Sequence, residues 1–274
     1  MKTILLLTDF SNGSNNAIRY AIQFYKEYDC LFHVLYVHKT DTFTSDDLML
    51  ASGSSSIYDS IVKVPKERLE TYISELQNEF KNSTHSFEAH IDFDGFNQAV
   101  SQAVKTNNID LIVLGSNGAT GAKEVIFGSN TLNVIRHANV STLVIPEGYN
   151  YRKCEEILLP LDPEDGLNGD PFNRIIDFIE IHNMHLHVLR INPDNENPEI
   201  MKSDKSNLSI INCQYNYIHG VPMHHAVDSY LQTNNIDFIG LIVQKEGFFR
   251  RLFFGSTTTQ ISQTAKRPLL IVHS

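Results

Sequence analysis

A five-residue string occurs twice in this chain. Thr106-Asn107-Asn108-Ile109-Asp110 returns letter for letter as Thr233-Asn234-Asn235-Ile236-Asp237, an offset of 127 residues. Gly128-Ser129 recurs at the same offset as Gly255-Ser256. Upstream, Ile4-Leu5-Leu6-Leu7-Thr8-Asp9 is echoed by Ile157-Leu158-Leu159-Pro160-Leu161-Asp162, and His33-Val34-Leu35 by His187-Val188-Leu189. Self-similarity of this kind means one supersecondary plan laid down twice. The chain's 274 residues, 42% of them apolar, suffice for two ordinary domains with a core each. The polar stretch Glu147 to Lys153 separates two apolar runs, which gives domains 1–150 and 151–274.

Inside the first unit, short apolar runs alternate with helical patterns. Ile4-Leu5-Leu6-Leu7, Phe32 to Val37, Phe87 to Ile91, Asp110 to Leu114 and Thr142 to Ile145 read as strands. Runs without polar alternation mark strands covered on both faces. Between them Ile18, Ala21, Ile22 and Tyr25 fall on one helical face, as do Leu69, Tyr72, Ile73, Leu76 and Phe80. Further helices follow around Ala99 to Val104 and over 129–138. Strict alternation of strand and helix implies parallel βαβ units and an α/β fold with a doubly wound parallel sheet in each unit. The second unit repeats this plan with one difference. Residues 192–209 form a polar connection without helical periodicity, so this copy is expected to lack one helix.

Charge excludes one class of function. Net charge is −10, with −6 in residues 1–150 and −4 in the rest. Neither half offers the basic face on which nucleic-acid affinity depends. Cys30, Cys154 and Cys213 are too scattered for a disulfide framework or a Cys-x-x-Cys site. The N-terminal apolar run is too short for a signal peptide and no run approaches a membrane span. A cytoplasmic protein with no membrane partner is expected.

The chemical motif begins where the fourth strand ends: Gly115-Ser116-Asn117-Gly118, nine residues, then Gly128-Ser129-Asn130-Thr131 opening a helix. Glycines let main-chain N–H groups approach an anion without Cβ interference. A helix N-terminus directs free N–H groups and its positive dipole end at the same place, and Ser129 and Thr131 add hydroxyls. The motif is neither a Walker loop nor the dinucleotide fingerprint. With the opening Thr8-Asp9-Phe10-Ser11, it resembles the universal stress protein family, whose ATP-binding pattern is Gly-x-x-Gly, nine residues, Gly-Ser/Thr. The resemblance spans both halves and identifies the chain as a tandem member.

That resemblance implies strand order 3-2-1-4-5 in each domain, with ATP at the carboxyl ends of the strands. Asp9 and Val37 would contact the nucleoside, and Gly118, Gly128, Ser129, Asn130 and Thr131 the phosphates, with Gly115 opening the loop. Leu7 stands where relatives often carry proline. An oxygen of Asp9 offers a place for Mg²⁺. Strands 1 and 4 flank the topological switch point, where ligands lodge in open α/β sheets. Family members pair through their fifth strands; Thr142 to Ile145 and Pro268 to Val272 are short apolar edges suited to antiparallel pairing. The two domains are therefore expected as a pseudo-twofold pair, with the ladder starting after Pro268, and further homodimerisation through other faces stays open.

The second copy keeps Asp162, Gly255 and Ser256 but has Ile242 and Lys245 in place of Gly115 and Gly118, and its loop is filled by side chains. One nucleotide per chain is expected, in the first half. Six histidines gather at 182–225 without metal-ligand spacing, so neither a metal site nor a catalytic residue is assigned. The segment Thr40 to Tyr58 reads as a solvated connection. The leading reading is an ATP-binding regulatory protein of stress response that presents its surface to a protein partner. Its rivals are a slow ATPase or adenylyl-handling enzyme, and a scaffold that binds no nucleotide.

Overall fold

The computed structural model describes residues 1–38, 63–117, 127–194, 196–243 and 266–273. Thr40 to Tyr58, Gly118, Lys245 and its loop, Gly255 and Ser256, all singled out in the sequence, lie outside the described residues.

In the first half the elements are β1 (Lys2–Thr8), α1 (Asn12–Phe24), β2 (Cys30–Val37), α2 (Val64–Phe80), β3 (His85–Asp92), α3 (Phe96–Thr106), β4 (Leu111–Gly115), α4 (Ser129–His137) and β5 (Ser141–Ile145). The second half gives β6 (Glu156–Leu161), α5 (Gly169–His182), β7 (His185–Asn192), α6 (Pro198–Asn207), β8 (Cys213–His219), α7 (Met223–Thr233), β9 (Phe238–Val243) and β10 (Leu269–His273). The ten strands among the described residues join one sheet in the order β3-β2-β1-β4-β5-β10-β9-β6-β7-β8. Each half thus has the expected 3-2-1-4-5 order and is parallel throughout. The halves meet at the β5–β10 antiparallel pair, with Leu269 opposite Val144 and Ile271 opposite Thr142. The ladder begins after Pro268, which has no N–H to give. No described helix is long and apolar enough to cross a membrane.

Continuous apolar strands are needed because helices cover both faces. Ile4, Leu6, Phe32, Val34 and Val113 pack under α1 and α2, and Ile157 and Leu159 continue that layer under α5. On the opposite face Leu5, Leu35, Ile112 and Val144 join Leu158, Leu189 and Ile271 beneath α3, α4 and α7. The local twofold also relates the helices. Phe24 of α1 stacks on Phe178 of α5, with ring centroids 5.8 Å apart and planes 13° from parallel.

The repeated pentapeptide does the same work in both halves. Asn107 and Asn234 end α3 and α7, each Nδ2 donating back four residues at 3.0 Å, to Ala103 and Tyr230. Asp110 and Asp237 then hold the start of the first strand: Asp110 accepts from the Thr3 N–H at 2.8 Å, and Asp237 from the Glu155 and Glu156 N–H groups at 2.9 and 3.2 Å. Ile109 and Ile236 are buried between.

One expectation fails. The connection between β7 and β8 is not helix-free, since α6 occupies Pro198–Asn207. Periodicity misses it because its one buried residue within the helix is Asp204. An ion pair holds this helix to the sheet where an apolar stripe ordinarily would. Asp204 receives Nε and Nη2 of Arg190, both at 2.8 Å, and the Tyr215 hydroxyl at 2.8 Å. Asn197 caps its N-terminus, accepting from the Glu199 and Ile200 N–H groups, and Pro198 sits at its first position, where the missing N–H has no helical partner to lose.

Candidate functional site

The site expected from the sequence lies at the carboxyl ends of β1, β2 and β4. Asp9, just past β1, is exposed, and its Oδ1 accepts from the Ser11 N–H at 3.0 Å. Ser11 in turn caps α1 by accepting from the Ser14 N–H at 3.2 Å. Between them Phe10 adopts φ 60°, a left-handed conformation that costs a bulky residue energy and that surrounding contacts must hold. Those contacts are Tyr36, with ring centroids 4.8 Å away, and the exposed Arg68, whose guanidinium carbon lies 4.0 Å from the Phe10 centroid. Val37 is half-buried at the end of β2, beside Asp92 of β3.

Gly115 ends β4, buried, but its glycine character serves a packing role. A Cβ there would meet Gly13 O at 2.8 Å and Gly13 C at 2.9 Å, and a Cβ on Gly13 would meet Asn117 O at 2.5 Å. Two glycines therefore let the first turn of α1 lie directly on the end of β4, which joins the Asp9 loop to the Gly115 loop. Gly13 carries no motif signal in the sequence and only its contact reveals it.

Gly128 is the N-cap of α4 and is held by its own N–H to Ser116 O at 2.8 Å. Among the described residues no side chain caps this helix, in contrast to α1, which Ser11 caps. The first-turn N–H groups of Ser129, Asn130 and Thr131 lie outside the intrahelical ladder, and the Ser129 and Asn130 side chains are exposed. Thr131 is different. It is buried and its hydroxyl donates to Gly115 O at 2.9 Å, so it pins α4 to β4. The structure thus brings Asp9, Gly115, Gly128, Ser129, Asn130 and Thr131 to the β1–β4 switch point, with Val37 one strand away.

The second half arranges the same positions differently. Asp162, the counterpart of Asp9, is buried, 4% exposed. Arg190 holds the backbone of this loop. In β7 it pairs with Leu161 as Tyr36 of β2 pairs with Thr8, so Arg190 and Tyr36 are counterparts. The Arg190 Nη1 donates to the carbonyl oxygens of Asp162 and Asp165, the latter at 2.9 Å, while its other nitrogens hold Asp204. Asp165 also accepts from the Asp162 N–H at 2.8 Å. An internal cation thereby ties down the loop that the first half leaves exposed. Sequence reasoning located the asymmetry in the glycine loop and missed Arg190, whose position at a strand end was its one available signal.

His33 and His187, counterparts in β2 and β7, are both buried. His187 is fully engaged, Nδ1 with the Tyr230 hydroxyl at 2.8 Å and Nε2 with Glu156 at 2.6 Å. His33 has different company on β3, described below.

Residues 1–146 match the model of the Universal stress protein family. Universal stress protein MJ0531 of Methanocaldococcus jannaschii is 28% identical over 144 residues, 53% of this chain and 81% of the relative. A second protein of that organism, Universal stress protein MJ0577, is 27% identical over 161 residues, 53% of this chain and 94% of the relative. Over the full length, a universal stress protein of Archaeoglobus fulgidus DSM 4304 has a similar fold. Its TM-score is 0.67 at 15% identity, covering 99% of this chain and 96% of the other. With the family model matched over more than half of its length, the chain belongs to the universal stress protein family.

Proposed function

We propose that this chain is a cytoplasmic regulatory protein that binds one adenine nucleotide, ATP, between β1 and β4 of its first half. In this reading residues 1–150 form the binding domain and 151–274 a degenerate copy that supports it. The observation that carries the proposal is the contrast between equivalent loops. In the first half Asp9 is exposed and the N-cap of α4 is a glycine with no capping side chain, whereas in the second Asp162 is buried with its carbonyl held by Arg190.

The residues fit the ligand. The first-turn N–H groups of Ser129 and Asn130 and the positive end of α4 favour phosphate oxygens. The family pattern assigns Gly118 to the same phosphate loop, and the Ser129 hydroxyl adds a donor. Thr131 and Gly115 position this turn without touching phosphate. Asp9 serves the ribose hydroxyls or a phosphate-bound Mg²⁺, and Val37 lies against the base. Occupancy changes the surface offered to a protein partner.

The test is to denature the purified full-length protein and identify released nucleotide, then titrate stripped protein with ATP. Binding that weakens at least tenfold in Asp9→Asn supports the reading. Absence of binding, or unchanged affinity in that variant and in Gly118→Ile, contradicts it. Turnover above background, abolished by Asp9→Asn, would instead make the protein an ATPase.

A further inference from the structure

Away from the loops, three metal-ligating side chains converge where β2 meets the edge strand β3. His33 pairs with Glu88 and Leu35 with His90 in the parallel register. Alternation along both strands puts His33, Glu88 and His90 on the same face. The His33 Nδ1 lies 2.7 Å from His90 Nε2 and 3.4 Å from Glu88 Oε2, and the latter two atoms are 3.7 Å apart.

These distances are informative. Three atoms so spaced lie on a circle of radius about 1.9 Å, and zinc bonds nitrogen and carboxylate oxygen at about 2.0–2.2 Å. A single ion just above their plane therefore reaches all three without rearrangement of the strands. Two imidazoles and a carboxylate are also a donor set that zinc accepts, with a fourth position left for water or another ligand. Burial is graded as an entry path requires. The His33 side chain is 4% exposed at the base, that of His90 29%, and that of Glu88 54% at the mouth.

Hydrogen bonding alone accounts poorly for this grouping. Two ring nitrogens at 2.7 Å repel unless one carries a proton, and His33 Nε2 is buried with no hydrogen-bond partner among the described residues. Neither tautomer of the pair therefore satisfies both nitrogens of the buried ring. The Glu156, His185 and His187 cluster of the other half differs, since both ring nitrogens of His187 already have partners.

We propose that His33, Glu88 and His90 form a binding site for a divalent transition metal of the zinc class, open to a fourth ligand. The ion would cross-link the edge strand β3 to β2. The site is independent of the nucleotide reading and stands or falls by itself.

The experiment uses chelator-treated full-length protein. Titration with Co²⁺ is expected to give the visible absorption of a four-coordinate ion, saturating at one ion per chain and displaced by Zn²⁺. His90→Ala and Glu88→Gln should each weaken Zn²⁺ binding roughly tenfold or more, and His185→Ala should leave it unchanged. Circular dichroism checks that the variants fold. An X-ray absorption spectrum of the zinc-loaded wild type supplies a readout that needs no variant, with two imidazoles expected in the ligand shell. Failure to bind Co²⁺ and Zn²⁺ at micromolar concentration overturns the proposal. So does binding that survives in both variants, is lost in His185→Ala, or shows no imidazole shell.

Discussion

Gly115 shows why a motif residue can be right for a reason the motif does not state. In the sequence it opens a phosphate loop. In the structure it admits the backbone of Gly13, so that α1 and β4 touch at the switch point. A methyl group at either position would meet main-chain atoms, which cannot swing aside as a side chain can. Gly115→Ala and Gly13→Ala should each cost about 1–3 kcal/mol of stability, measured as a lower urea midpoint at unchanged slope. A wild-type midpoint in both variants would show that the turn yields freely. Thr131 teaches the converse. Its hydroxyl is chemically suited to phosphate but is already committed to Gly115 O, so Thr131→Val should lower stability more than it alters any direct phosphate contact. Nothing in the one-dimensional string separates Thr131 from Ser129; their burial does.

At the scale of elements, most of the fold was legible because most elements are apolar runs and stripes. The five strands and the helices of the first half follow from periodicity, the strands of the second half follow from the internal repeat, and the order of strands follows from the family resemblance. The helix α6 was illegible for a physical reason. Periodicity reports apolar burial, and α6 is held by Arg190, Asp204 and Tyr215. The pair contributes specificity of placement, and removing one member leaves a buried charge without compensation. Arg190→Met should therefore destabilise the protein by about 3–5 kcal/mol. Adding Asp204→Leu to that variant should recover much of the loss, because the stranded carboxylate goes with it. Urea denaturation of the two singles and the double measures this coupling. Strict additivity would mean that the pair does not hold the helix. The same burial keeps the Tyr215 phenol protonated, its titration pushed up by desolvation and by the Asp204 carboxylate it donates to.

At the scale of the whole molecule, the two halves behave as one body with a shared sheet and a shared interface. Besides the β5–β10 ladder, His182 of α5 sits among Phe24, Tyr25 and Tyr28 of the first half, its ring centroid 4.3, 5.3 and 5.2 Å from theirs. Burial, with a smaller effect from Lys2, pulls its titration down to about 4. The folded state then binds this proton less readily than the unfolded chain, whose histidine titrates near 6.5. The stabilisation is complete above about pH 6.5 and is lost progressively as pH falls towards 4, up to about 3 kcal/mol. His182→Leu should flatten this part of the acid limb, seen as a smaller loss of denaturation midpoint between pH 7 and pH 4.5 than in wild type. An identical loss in both proteins would place the acid sensitivity elsewhere. The central claim is that this paired body carries one nucleotide, because one switch-point loop is exposed and its twin is tied down by Arg190. Calorimetric titration of nucleotide-free, full-length protein with ATP tests it most directly. The account predicts a stoichiometry of one per chain, and two equivalent sites per chain, or none, would contradict it.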